Sequence, residues 1–154
     1  MPSLYVLIGI PGSGKSTWAR ENAQRLHAVV VSSDIVRRDL RAHGQNPLNG
    51  DLVFAEVEYR AREQLGAGRS VILDATHSLR KYRTYAIRLA SDFHARCIGV
   101  WFDLPLEVCL RRNVQRTQQN FGDEEVPETV VRQMYNRFQP PGRDEFDEIV
   151  RLNS

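Results

Sequence analysis

Residues Gly9-Ile10-Pro11-Gly12-Ser13-Gly14-Lys15-Ser16 satisfy the pattern GxxxxGK[ST] in full, and nothing else in the chain restricts its fold as much. The pattern belongs between a strand and a helix. Leu4 to Ile8 is a short apolar run that reads as a buried strand, and Lys15 to about Arg25 reads as a helix. Gly12 and Gly14 allow backbone turns that a side chain would block. The loop amides can then converge on the terminal phosphates of a nucleotide, backed by the positive end of the following helix. Lys15 brings a mobile positive charge to the β- and γ-phosphates, and the Ser16 hydroxyl suits Mg2+. Thr17 is the next hydroxyl, within reach of an α-phosphate. The expected ATP contacts are therefore Gly9, Ile10, Pro11, Gly12, Ser13, Gly14, Lys15, Ser16 and Thr17.

Beyond the loop, short apolar runs alternate with helical patterns. Ala28 to Val31, Ser70 to Leu73, Cys97 to Phe102 and Ile149 to Leu152 read as further strands. Helices are expected over Asp34 to Ala42, Asp51 to Leu65, Arg80 to Phe93, Pro105 to about Arg116, and Pro127 to Phe138. Such alternation predicts an α/β fold, a three-layer P-loop NTPase-type parallel sheet of four or five strands with helices on both faces. Ligands in these sheets bind beyond the carboxyl ends of the strands, and Asp34, Asp74 and Asp103 each mark such an end.

Length and composition agree with this. A chain of 154 residues, 42% hydrophobic and 26% charged, fits one globular domain. No apolar run approaches the roughly eighteen residues of a membrane span, and the N-terminus has no basic, apolar leader pattern. A cytoplasmic location is expected. Cys97 and Cys109 form no Cys-x-x-Cys pair and read as buried, reduced thiols. Of the 21 basic residues only Lys15 and Lys81 are lysine. Arginine is the better fork for phosphate, so the bias is compatible with a polyanionic substrate, and equally with a genome-wide codon preference.

A kinase must deprotonate an acceptor hydroxyl and shield charge on the migrating phosphoryl group. Asp34 is the candidate for that proton, its alternative being a helix N-cap. Arg37, one helical turn on, is a candidate clamp on an acceptor phosphate; Arg38 and Arg41 are expected to point elsewhere. Asp74 suits a water-mediated hold on Mg2+, or equally a turn. Thr76 and His77 face the same edge, with His77 expected to be a loop residue. Arg112 and Arg116 stand near the end of a helix before a polar, acidic stretch from Gln118 to Val126. A lid is expected there, over about residues 112–130, with Arg112 and Arg116 as further ATP contacts and Arg116 reaching the donor phosphates. Asp123-Glu124-Glu125 reads as solvated lid surface.

The motifs resemble those of the bacteriophage polynucleotide 5′-kinase domain. The likeness runs through GIPGSGKSTWARE at Gly9 to Glu21, Asp34-Ile35-Val36-Arg37 and Asp74-Ala75-Thr76. It continues in Arg112-Asn113-Val114-Gln115-Arg116, Val126-Pro127 and Met134-Tyr135, and so covers nearly the whole chain. The resemblance implies that Lys15 and Ser16 contact phosphates and Mg2+, and that Asp34 is general base on a polynucleotide 5′-hydroxyl. It also implies Arg37 on the adjacent acceptor phosphate, Asp74 and Thr76 near metal or acceptor, and Arg116 as lid arginine. The phage family has a second acid where Ile35 stands here, and its phosphatase signature is absent from this sequence.

Three functions fit the residues: a polynucleotide 5′-kinase using ATP and Mg2+, a small-molecule kinase on a sugar, nucleoside or antibiotic, and a non-catalytic nucleotide switch. A switch has no need of an acceptor base, so the pairing of Asp34 with Arg37 argues for a kinase.

Overall fold

Five apolar segments pair side by side as a wholly parallel sheet in the order β2-β3-β1-β4-β5. The strands are β1 (Ser3–Ile8), β2 (Ala28–Ser32), β3 (Ser70–Asp74), β4 (Arg96–Phe102) and β5 (Glu148–Leu152). The helices between them are α1 (Lys15–Asn22), α2 (Ser33–Ala42), α3 (Gly50–Gly66), α4 (Arg80–Asp92), α5 (Leu106–Gln119) and α6 (Glu128–Arg137). This computed structural model describes residues 1–119 and 126–153, with backbone alone for 116–119. Every strand and helix expected from the pattern is present.

β1 is apolar from Leu4 to Ile8 because both of its faces are covered. Leu4, Val6 and Ile8 join a core with Val36, Val53, Val57, Ala61, Leu65, Ala86 and Leu89 of α2, α3 and α4. Leu7 faces the other way, into a second core with Ile72, Val100, Phe102 and Ala19, against which Tyr5 and Trp18 pack. Alternate side chains of a strand point to opposite faces, so one run of β1 serves both layers. A third cluster, Ile10 with Cys109 and Val131, seats α5 and α6 against the phosphate loop. Burial of this kind stabilises by about 25 cal/mol per Å2 of apolar surface.

Several boundaries differ from expectation for identifiable reasons. α1 stops at Asn22 rather than Arg25, and His27 follows in the left-handed region with φ 50°. α2 starts one residue early because Ser32, not Asp34, caps it, accepting from the Ile35 amide at 3.4 Å. α5 runs on past Arg116 to Gln119. The acidic run 123–125 lies outside the described residues, as does part of the expected lid. Cys97 and Cys109 are both buried and free. Burial, helped by the nearby Asp147 and Glu145 carboxylates, pushes the Cys97 thiol up to about 12.

Candidate active site

β1 ends where the sheet opens, and its chain turns at once into the loop before α1. Gly14 is the N-cap of α1 with φ 99°, and Gly12 has φ 84°; both are left-handed values that an L side chain resists. Gly12 is fixed by packing as well, since a Cβ there would fall 2.1 Å from the Cys109 carbonyl oxygen on α5. Gly9 is covered by Ser13, whose Oγ would stand 2.5 Å from a Cβ at Gly9. Ser13 Oγ is buried with no hydrogen-bond partner among the described residues. Lys15 is 8% exposed, and its Nζ donates to the Ile10 carbonyl at 3.1 Å. The cradle therefore has small residues where backbone must approach a ligand, and one ammonium across its mouth.

The loop forms one side of a cleft of about 880 Å3, near the upper end of ordinary ligand sites. Pro11, Gly12, Gly14, Lys15, Ser16 and Thr17 line it, together with Asp34, Arg37, Asp74, Thr76 and Arg112. The structure thus brings many of the residues expected at the site to one cavity, whereas Gly9, Ile10 and Ser13 of the loop do not line it. Ser16 Oγ donates to Asp74 Oδ2 at 2.9 Å. Thr76 is tied to the loop through its carbonyl, which accepts from the Gly9 amide at 3.0 Å. Arg112 reaches the loop from α5, its Nη1 standing 3.5 Å from where a Cβ on Gly14 would be. Arg116 has its backbone on the same helix, and its side chain lies outside the described residues.

Asp34 sits in the first turn of α2, half-exposed, with Arg37 Nη1 3.4 Å from its Oδ1. The expectation that Arg38 and Arg41 point away is overturned, for both line the cleft. Asp34, Arg37, Arg38 and Arg41 stand at i, i+3, i+4 and i+7, which is a single helical stripe. The spacing was present in the sequence and is the signal that finds them. Of the three strand-end acids, Asp103 stays outside the cleft and accepts instead from Arg151 Nε at 2.8 Å.

Other lining residues had no role expected of them. Arg20 of α1, Phe54 of α3, Lys81, Tyr82 and Tyr85 of α4, and Gln115 of α5 are also on the wall. Cations outnumber the carboxylates of Asp34, Asp51 and Asp74 around the cavity, which gives it a field attractive to polyanions. His77, expected as a loop residue, is 1% exposed with φ 47°. Its Nδ1 donates to the Leu7 carbonyl and its Nε2 accepts from the Tyr85 hydroxyl, each at 2.7 Å. A carbonyl can only accept, which fixes the neutral tautomer. Burial is the main cause that lowers the His77 pKa to about 4, assisted by the charges of Lys15 and Arg83.

Magnesium takes oxygen ligands and keeps several waters, relying on substrate phosphates as much as on protein. The Ser16 hydroxyl beside the Asp74 carboxylate is an oxygen-donor pair of that kind. No group of three His, Cys, Asp or Glu side chains among the described residues could hold a metal ion unaided. The site fits an ion that arrives with a nucleotide.

A parallel sheet in this order, with a strand–GxxxxGK[ST]–helix unit at its centre, defines a nucleotide-binding domain of the P-loop kinase class. The chain belongs to the family described as AAA domain, whose model matches residues 4–141. An uncharacterised protein of Mycobacterium tuberculosis is 37% identical over 130 residues, covering 76% of this chain and 26% of that protein. The L-seryl-tRNA(Sec) kinase of Methanococcus maripaludis is 24% identical over 144 residues, covering 90% of this chain and 53% of the kinase. The chain therefore spans about half or less of the length of these curated relatives. A chain in the solved Pnkp1/Rnl/Hen1 RNA repair complex superposes with a TM-score of 0.71 at 28% identity, covering 88% of this chain and 43% of that one. No helix among the described residues is long and apolar enough to cross a membrane.

Proposed function

We propose that this chain transfers the γ-phosphoryl group of ATP to the 5′-hydroxyl end of a polynucleotide. The observation that carries the reading is the stripe on α2, where the Asp34 carboxylate is followed by Arg37, Arg38 and Arg41 along the wall of the phosphate-loop cleft. An acid that begins a row of arginines suits a hydroxyl that begins a row of phosphates. RNA figures in the names of both the archaeal kinase and the repair complex, which supports a nucleic-acid acceptor.

In this scheme the loop amides and Lys15 hold the β- and γ-phosphates, with Arg112 over the loop and Arg116 adding charge when residues 112–130 close as a lid. Ser16 and, through water, Asp74 would hold Mg2+, which when bound neutralises charge on the transferring group. Arg37 and Thr76 place the acceptor end. Asp34 takes the hydroxyl proton as that oxygen bonds to the γ-phosphorus. The bond from the γ-phosphorus to the bridging oxygen breaks, and ADP leaves with the electron pair. Residues 1–154 act as one kinase domain, and the two free cysteines suit a cytoplasmic setting.

The test is incubation with γ-labelled ATP, Mg2+ and a panel of 5′-hydroxyl oligonucleotides, nucleosides and sugars. Label is expected on the oligonucleotides, and its transfer should fall at least a hundredfold, as an order-of-magnitude estimate, in Asp34→Asn. Label on sugars alone would establish a small-molecule kinase instead, and full activity of Asp34→Asn would remove the base assignment.

A further inference from the structure

The first turn of α4 carries Arg80, Lys81 and Arg83 and no acid, an arrangement the helix dipole disfavours. Two of these cations have clear structural partners. Arg80 pairs with Asp144, and the fully buried Arg83 pairs with Glu145. Lys81 is different: no carboxylate pairs with it among the described residues, and it lines the cleft. Its Nζ lies 5.3 Å from the ring centroid of Tyr82, and Tyr82 also lines the cleft while 50% exposed. A half-exposed aromatic ring beside a cation has little reason to face a cavity that takes only a nucleoside triphosphate. It has good reason to face a nucleic-acid strand, which offers a base to stack and a phosphate to neutralise.

The pair lines the same cleft as the acceptor residues proposed on α2. β2 and β3 are neighbours, with Ser32 opposite Asp74 at their ends. α2 follows β2 directly and α4 follows β3 after a short loop, so both helices start from the carboxyl ends of adjacent strands, with α3 packed between their bodies. Arg37 of α2 is suited to the phosphate next to the reacting hydroxyl, and Lys81 stands in the first turn of α4 on the wall of the same cleft. We propose that Lys81 and Tyr82 form a second acceptor subsite, in which Lys81 takes the second phosphodiester of a 5′-hydroxyl strand and Tyr82 carries the adjoining base. This rests on the polynucleotide reading above and adds to it a minimum acceptor: the enzyme prefers a strand with two phosphates to a single nucleotide.

Two acceptors test it, a nucleoside 3′-monophosphate and a 5′-hydroxyl dinucleotide that also bears a 3′-phosphate. The dinucleotide is expected to be the better substrate in kcat/KM by roughly tenfold or more, the scale of one stacked base. Lys81→Ala and Tyr82→Ala should each narrow that ratio, whereas Lys81→Arg and Tyr82→Phe should retain most of it. In binding of a single-stranded 5′-hydroxyl oligonucleotide, Lys81→Ala should reduce the slope of log affinity against log salt by about 0.7. Equal use of the two acceptors, or a ratio that neither alanine variant moves, would overturn the subsite and leave the 5′-hydroxyl acceptor standing. Absence of transfer to every nucleotide acceptor, with transfer to a sugar, would overturn both.

Discussion

The Ser16 hydroxyl donates to the Asp74 carboxylate across 2.9 Å, joining the first turn of α1 to the end of β3. These residues are 58 apart in sequence, and adjacent parallel strands bring them together, since β1 pairs with β3 along Leu4–Val6. A metal ion entering between them would take the hydroxyl oxygen as ligand and leave Asp74 to hold a coordinated water. Asp74→Asn keeps the hydrogen-bonding shape and removes the charge. Loss of an outer-shell carboxylate costs roughly 10- to 100-fold in metal affinity. The Mg2+ concentration for half-maximal phosphotransfer is therefore expected to rise by that factor in Asp74→Asn. A titration of activity against Mg2+ at saturating ATP checks it.

Gly12 and Gly14 both have positive φ, yet they differ in what surrounds them. A methyl group at Gly12 meets the backbone of α5, with the Cys109 carbonyl oxygen at 2.1 Å and the Asn113 amide nitrogen at 3.1 Å. One at Gly14 meets only the end of the Arg112 side chain at 3.5 Å. Gly14→Ala therefore carries backbone strain alone, and Gly12→Ala carries strain and a clash with main chain that cannot swing aside. Each source costs roughly 1–3 kcal/mol. Gly12→Ala should be the less stable variant by thermal unfolding, and should weaken ATP binding in calorimetry more than Gly14→Ala.

Arg83 is fully buried and uses all of its donor positions. Nε and Nη2 bond the Glu145 carboxylate at 2.9 and 3.0 Å, Nη1 bonds the carbonyls of His77 and Gln139, and Nη2 also reaches Pro140 at 3.5 Å. The pair clamps α4 and the loop after β3 to the chain that follows α6. Removing one member of a buried pair strands the other charge and costs about 3–5 kcal/mol, whereas replacing both with apolar groups is often neutral. Arg83→Met should lose stability on that scale in urea unfolding. The double variant Arg83→Met with Glu145→Met should recover a large part of the loss.

Much of this molecule could be read from its residues before any coordinates. The central strands were legible because they are buried on both faces and so written as unbroken apolar runs, as in Leu4–Ile8 and Val71–Leu73. The phosphate loop was legible because its backbone geometry demands glycine at fixed places. The strand order was not, for nothing local in β3 says that it lies between β2 and β1. Lys81 and Tyr82 were missed because α4 looks like an ordinary surface helix until its first turn is seen at the cleft. Arg83 was missed because its partner is 62 residues away, and an arginine at a helix start resembles any solvated charge. Asn113 gave no sign of its structural role in the sequence; it is 3% exposed and its Nδ2 donates to the Val126 carbonyl at 2.7 Å. That bond ties α5 to the segment before α6.

His77 gives the chain a specific sensitivity to acid. It is held neutral between the Leu7 carbonyl and the Tyr85 hydroxyl, with its pKa lowered from 6.5 to about 4, chiefly by burial. Between those two values the unfolded chain binds a proton that the folded chain refuses, so stability falls as pH drops from about 6.5 towards 4. The full effect of that lowering is on the order of 3 kcal/mol. Above pH 6.5 both states are neutral at this position and the contribution is constant. In His77→Asn the replacement tolerates the left-handed backbone and does not titrate. The variant should be less stable at neutral pH, because the hydrogen bonds across the ring are lost, and should show a shallower decline from pH 6.5 to 4. Urea unfolding of both proteins across that range measures the difference, and parallel pH profiles would assign the acid sensitivity to other groups.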